Sequence, residues 1–145
     1  VPILNYTTKI DPFRTIAEIH ACLVKYGAKN ISVDYEGQLP AALTFLAEIN
    51  GEFVSFRLPS NHIGVLRAMK KDRDIPPRYK TEDQARRVAW RITKDWVEAQ
   101  MAIVQAELAT LPEVFLPYLV TPSGQTLFNA VNDRGLKLLT GERSQ

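Results

Sequence analysis

The sequence predicts an α+β fold: a small antiparallel β-sheet of about three strands, packed on an N-terminal helix and on a long helix in the C-terminal half. Three observations carry this. Asp11-Pro12 opens a run of apolar residues at helical spacing, Asn50-Gly51 separates two alternating runs, and helical periodicity persists from Thr81 to Pro112. At 145 residues the chain fits a single domain over 1–145. The Pro76-Pro77 stretch between Lys70 and Tyr79 reads as an exposed linker, and it is the place where a 1–75 α+β part would meet a 76–145 mainly helical part.

Residues Ile3 to Ile10 alternate well enough to be a fourth strand, with Leu4, Tyr6, Thr8 and Ile10 on one side. The Asp11 carboxylate is suited to cap free backbone N–H groups, and proline at the first helical position loses no needed donor. Phe13, Ile16, Ile19, Leu23 and Tyr26 then form an apolar face, and Gly27 is placed to end the helix. Ile31, Val33 and Tyr35 alternate with Ser32 and Asp34 before the turn Glu36-Gly37-Gln38. A two-residue Asn50-Gly51 turn fixes the next register, because type I′ geometry needs positive φ at both central positions. It places Ile49 opposite Glu52, Ala47 opposite Val54, Phe45 opposite Phe56 and Leu43 opposite Leu58. Thr44, Leu46, Glu48, Phe53, Ser55 and Arg57 take the other face.

A short helix containing Ile63, Leu66 and Met69 is expected after Pro59-Ser60-Asn61. Thr81 to Gln84 has the form of a capping box, followed by about thirty residues of helix, or about 45 Å. Ala85, Val88, Ala89, Ile92, Trp96, Ala99 and Ile103 make one stripe on it, and Trp90, Val97, Met101, Val104, Leu108 and Leu111 a second. Together they exceed the ~100° stripe of a surface helix, which predicts burial on two sides, one of them against a second chain. The expected homodimer interface is Trp90, Val97, Met101, Val104 and Leu108. The run Val114 to Val120 is too short to classify. A last helix is expected over Gln125 to Asp133, with Leu127, Phe128 and Val131 inward, and the tail from Thr140 is expected to fray.

Composition excludes several function classes. Apolar runs are far shorter than the ~20 residues that span a bilayer. The opening residues lack a basic stretch followed by an apolar one, so the expectation is a cytoplasmic protein without a membrane partner. Cys22 stands alone, which excludes an internal disulfide or a cysteine-rich zinc site. His20 and His62 have no ligand partner at i+4 and read as structural. There is no glycine-rich phosphate loop and no Gly-x-Ser-x-Gly. Asp34 and Glu48 on adjacent strands suggest paired nuclease carboxylates, but the place of the expected lysine is Asn50, so solvated strand carboxylates are the better reading. No catalytic residue, metal or cofactor is assigned, and the expectation is a non-enzymatic protein.

Charge is the informative property. Arg57 to Lys94 holds eleven Lys/Arg against four Asp/Glu, whereas the rest holds seven against twelve. Such asymmetry suits a polyanionic partner. Arg87, Arg91 and Lys94 fall on one helical stripe, and with Arg57, Lys70, Lys71 and Arg73 they form the candidate nucleic-acid-binding set. The competing reading is a solvated face, with Arg91 paired to Asp95 and Lys94 to Glu98.

The run from Gln84 to Ile92, with Lys94-Asp95-Trp96, Glu98-Ala99-Gln100, Val114-Phe115-Leu116-Pro117-Tyr118 and Ser123-Gly124-Gln125-Thr126-Leu127, resembles a family of small uncharacterised proteins encoded in bacterial prophages and integrated mobile elements. Tyr6-Thr7-Thr8-Lys9 and Phe56-Arg57-Leu58-Pro59 fit the same pattern. The family has no established activity, so the resemblance implies no catalytic residue. It implies a mobile-element context, where handling single-stranded DNA and interfering with a host factor are common tasks. The leading expectation is an accessory protein that binds single-stranded DNA, and the alternative is a protein-interaction module or inhibitor acting through the apolar helix face.

Overall fold

A computed structural model describes residues 2–135 and 140–141. The expected fraying from Thr140 falls largely outside the described residues. The order is α1 (Pro12–Lys25), β1 (Lys29–Glu36), β2 (Leu39–Ile49), β3 (Glu52–Pro59), α2 (His62–Lys71), α3 (Glu82–Gln105), α4 (Leu111–Phe115) and α5 (Leu127–Arg134). The strands form an antiparallel sheet in the order β1-β2-β3, with α1 and α3 packed against one of its faces. This is an α+β fold. No helix among the described residues is long and apolar enough to cross a membrane.

The hairpin has the register set by its turn: Ile49 pairs with Glu52, Ala47 with Val54, Phe45 with Phe56 and Leu43 with Leu58. Asn50 and Gly51 both have positive φ, at 51° and 85°. Asp11 caps α1 by accepting from the Phe13 N–H at 2.8 Å, and Gly27 ends it in the left-handed region. Ile16, Ile19 and Leu23 are buried as expected, but Phe13 is half-exposed and His20, placed in the apolar arc by spacing, faces solvent.

The N-terminal segment is not a fourth strand. Residues 4–7 form a turn with Asn5 at φ 67°, and the Gln84 side-chain amide donates to the Tyr6 and Thr8 carbonyls at 2.8 and 2.9 Å. Those bonds also explain why the expected capping box is half-made. Thr81 accepts from the Gln84 N–H, while the Gln84 side chain turns to the N-terminal segment instead of back to Thr81. A complete capping box lies further on, between Thr110 and Glu113, and its hydrogen bonds from Thr110 hold the Glu113 carboxyl below its ordinary pKa.

The long helix is shorter than its periodicity suggests, 24 residues instead of about thirty. Glu107 adopts φ +60° just beyond it, its N–H bonding the Val104 carbonyl while the Leu108 N–H reaches Ile103. This is a glycine-type helix ending built on a glutamate. After Leu116–Tyr118, a single 3₁₀ turn, the chain runs along β3, where Leu119 bridges Phe56 and the Val120 N–H donates to Ser55 at 2.8 Å.

Two clusters fill the interior. The larger joins Ile16, Ile19 and Leu23 of α1 to Leu43, Phe45, Phe56 and Leu58 of the sheet and to Trp90, Val97 and Met101 of α3. Phe115 closes it: its ring lies 5.8 Å from Phe45, 6.3 Å from Phe56 and 5.4 Å from Trp96. The smaller cluster joins Met69, Ile75, Ala85 and Val88, with Ile3, Tyr6 and Tyr79 packed against it. Ile75 is 1% exposed, so the stretch expected to be an exposed linker is anchored, and residues from both sides of 75/76 share this cluster. Phe128, expected inside, is 48% exposed.

Phe115→Ala should lower unfolding stability by about 3–5 kcal/mol, as other buried aromatic truncations do, measured by urea denaturation. Glu107→Gly should raise it by about 0.5–1 kcal/mol, because glycine adopts the left-handed conformation without the Cβ penalty.

Candidate nucleic-acid interface

The seven candidate cations divide into two groups. On α3, Arg91 is mostly buried, ion-pairs with Glu18 of α1 and donates to the Thr15 hydroxyl at 3.3 Å. Lys94 lies 3.2 Å from Glu98 and 3.9 Å from Asp95. Arg87 is half-buried and donates through Nε to the Gln84 side-chain Oε1 at 2.9 Å. Neighbouring Arg86 is held between Glu82 and Asp83. Arg57, on the sheet face away from the helices, sits 3.7 Å from Asp34 and donates to the Gly124 carbonyl at 2.8 Å. The expected cationic stripe on α3 is therefore used inside the fold. Lys94 has the expected i+4 partner, whereas Arg91 takes Glu18 instead of Asp95, which accepts from Asn5 at 2.9 Å.

The second group is different. Lys70, Lys71 and Arg73 are exposed, and among the described residues no carboxylate lies within 4.0 Å of any of them. Arg67, which the sequence reading did not single out, joins them with the same properties. Steps of three and four residues put Arg67, Lys70 and Lys71 within an arc of about 100° on α2. Beyond the connector, exposed Arg78 lays its guanidinium 4.7 Å from the Tyr79 ring centroid, and Tyr79 meets the edge of Tyr6 at 5.6 Å. The two acids in this stretch leave residues 67–74 with four cations against two carboxylates: Asp72 accepts from the Asp74 N–H at 2.9 Å, and among the described residues neither acid forms an ion pair. Met69 and Ile75, fully buried on either side, hold the cation-bearing backbone against α3.

The expected oligomer interface also changes. Trp90, Val97 and Met101 are at most 1% exposed, packed against the sheet and α1, so they offer no surface to a second chain. The indole N–H of Trp90 donates to the Pro40 carbonyl at 3.3 Å. Val104 is half-buried, and Leu108, beyond the helix end, is 77% exposed. The excess apolar surface that suggested a partner is covered by two clusters of the same chain.

Chemistry-bearing groups do not converge. Among the described residues no group of three or more His, Cys, Asp and Glu is placed to hold a metal ion. Asp34 accepts from Thr44 at 2.8 Å and faces Arg57, while Glu48 stands exposed further along β2. No buried side-chain polar atom among the described residues lacks a hydrogen-bond partner. Burial foremost, and then the charge of Glu98, pushes the Cys22 thiol above its ordinary pKa. Cys22 should therefore react with iodoacetamide at pH 7 several-fold more slowly in the native chain than in the urea-unfolded one, read by mass spectrometry.

Compared with protein-family models, with curated proteins and with solved structures, the chain matches none.

Proposed function

We propose that this protein is a non-enzymatic, nucleic-acid-binding accessory protein, of the kind mobile elements carry, whose contact surface is the C-terminal half of α2 and the connector after it. The supporting observation is the contrast in pairing. The α3 cations are paired with carboxylates or hydrogen-bonded within the fold, whereas Arg67, Lys70, Lys71 and Arg73 are exposed on an anchored backbone, with no carboxylate partner among the described residues. Cations in that state release counterions when phosphates replace them, which is the source of sequence-independent affinity. The Arg78–Tyr79 pair at the end of the connector adds a cation already stacked on a ring, suited to an unpaired base or a phosphate. Single-stranded DNA is the polymer this combination suits best.

Fluorescence anisotropy with a labelled oligothymidine tests the reading. Four phosphate contacts give a log–log salt slope of about −3, so raising salt fourfold should weaken binding about 50-fold. The triple variant Lys70→Glu, Lys71→Glu, Arg73→Glu should abolish binding, while Lys94→Gln should change it less than about twofold, since Lys94 is already paired. Absence of binding at about 50 mM salt and micromolar protein, or a flat salt dependence, would rule the proposal out.

A further inference from the structure

The two edges of the sheet are treated differently. Along β3, Leu119 and Val120 cover part of the edge, whereas among the described residues β1 pairs with β2 alone. Beside that free edge α1 turns an unusual stripe outward. Phe13, Ala17, His20 and Val24 follow one another at i, i+4, i+7 and i+11, and all four are exposed, Phe13 at 49% and Val24 at 53%. The core face of α1, Ile16, Ile19 and Leu23, lies about 100° around the helix from this stripe, so burial of that face does not account for these residues. The Phe13 ring lies 6.3 Å from that of Tyr35 on β1, itself 53% exposed, so the helix stripe and the strand edge form one continuous surface.

We propose that a second copy of this chain docks here, the two β1 strands pairing antiparallel about a two-fold axis at Val33 and the two α1 helices packing across the same axis. Charge order along β1 points to a second copy. The strand begins at Lys29, whose ammonium rests 5.3 Å from the Phe53 ring centroid in the single chain, and ends at exposed Glu36. An antiparallel arrangement brings Lys29 within reach of Glu36 of the second copy. The register is free of conflict: Val33 faces itself, Ile31 faces Tyr35 on the helix-covered side, and Ser32 faces Asp34 on the other.

The helices fit the same axis. Because Phe13 stands by Tyr35 and the chain reverses at Gly27, α1 runs antiparallel to β1 and its midpoint lies alongside the middle of the strand. Phe13 then meets Val24 of the second copy, and Ala17 is small enough at the centre for close approach. A bulge around Asn30, at φ +50°, and a second register shift against β2 between Asp34 and Tyr35 leave a short stretch around Val33 for regular pairing. The strands therefore need the α1 contact as well. Dimerisation removes the unpaired strand edge that otherwise invites uncontrolled association. This inference is independent of nucleic-acid binding.

Sedimentation velocity across about 1–200 μM protein should show a reversible dimer, a range that covers typical micromolar self-association. Ala17→Glu replaces an exposed residue and should leave the circular dichroism spectrum and melting unchanged, yet weaken the dimer at least about 30-fold by opposing two buried charges at the axis. The equivalent change on α3, Ala99→Glu, should have no effect. Lys29→Glu and Glu36→Lys should each weaken the dimer about three- to tenfold, and the double variant should restore it. A monomer at the highest concentration, a dimer indifferent to Ala17→Glu, or a double variant that fails to recover would each overturn the proposal.

Discussion

Everything else in the fold depends on α3 serving two interiors at once. Trp90, Val97 and Met101 face the sheet and α1, while Ala85 and Val88 face α2, the connector and the N-terminal segment. One helix between two clusters must be apolar around most of its circumference, which is why its pattern exceeds that of a surface helix. The remaining arc carries exposed Asp95, Glu98, Ala99 and Ala102, and from it Arg91 leans towards α1. Arg91 therefore sits where it must meet the carboxylate of Glu18, since a largely buried guanidinium without a partner would be strongly unfavourable. The pairing that stabilises α3 in place is the same pairing that takes its cations out of contention for an external anion.

That arrangement moves the electrostatic opportunity to α2. A segment count of Lys and Arg weighs Arg91 and Lys71 equally, but one is held by a carboxylate 73 residues away and the other extends into solvent. Composition established that the middle of the chain is basic, and the tertiary contacts decide which half of that charge reaches the surface. Arg67 shows the converse. It lies inside the basic segment and on the same helical arc, and its spacing from Lys70 and Lys71 is the signal by which the sequence could have revealed it.

The parts of the fold legible in the sequence are those set by short-range geometry. Asn50-Gly51 determines the hairpin register because its two residues must adopt positive φ, and Asp11-Pro12 starts α1 because capping is local. The parts that were not legible depend on distant groups or on an unusual residue. Nothing in Ile3 to Ile10 reveals that Gln84 will bind its carbonyls and hold it out of the sheet. Glu107 in the left-handed region ends α3 without the glycine that normally announces such a stop. Phe115 sits in a run too short for periodicity, yet it joins sheet and helix at the centre of the aromatic cluster.

The cations at the end of α2 also have a purely structural explanation, because Lys70 and Lys71 occupy the last turn, where the helix dipole favours positive charge. That effect is equivalent to about half an elementary charge and fades within one turn. It accounts for one or two cations, not for Arg67 a turn earlier or for Arg73 and Arg78 beyond the helix. Asp72, which accepts from the Asp74 N–H, and Asp74 offset only part of this charge, two acids against the four cations of residues 67–74. Self-repulsion among these groups works against the compact chain and is relieved when phosphates draw near. A surface that is costly for the free protein and favourable for its complex is better explained by an anionic partner than by the stability of α2.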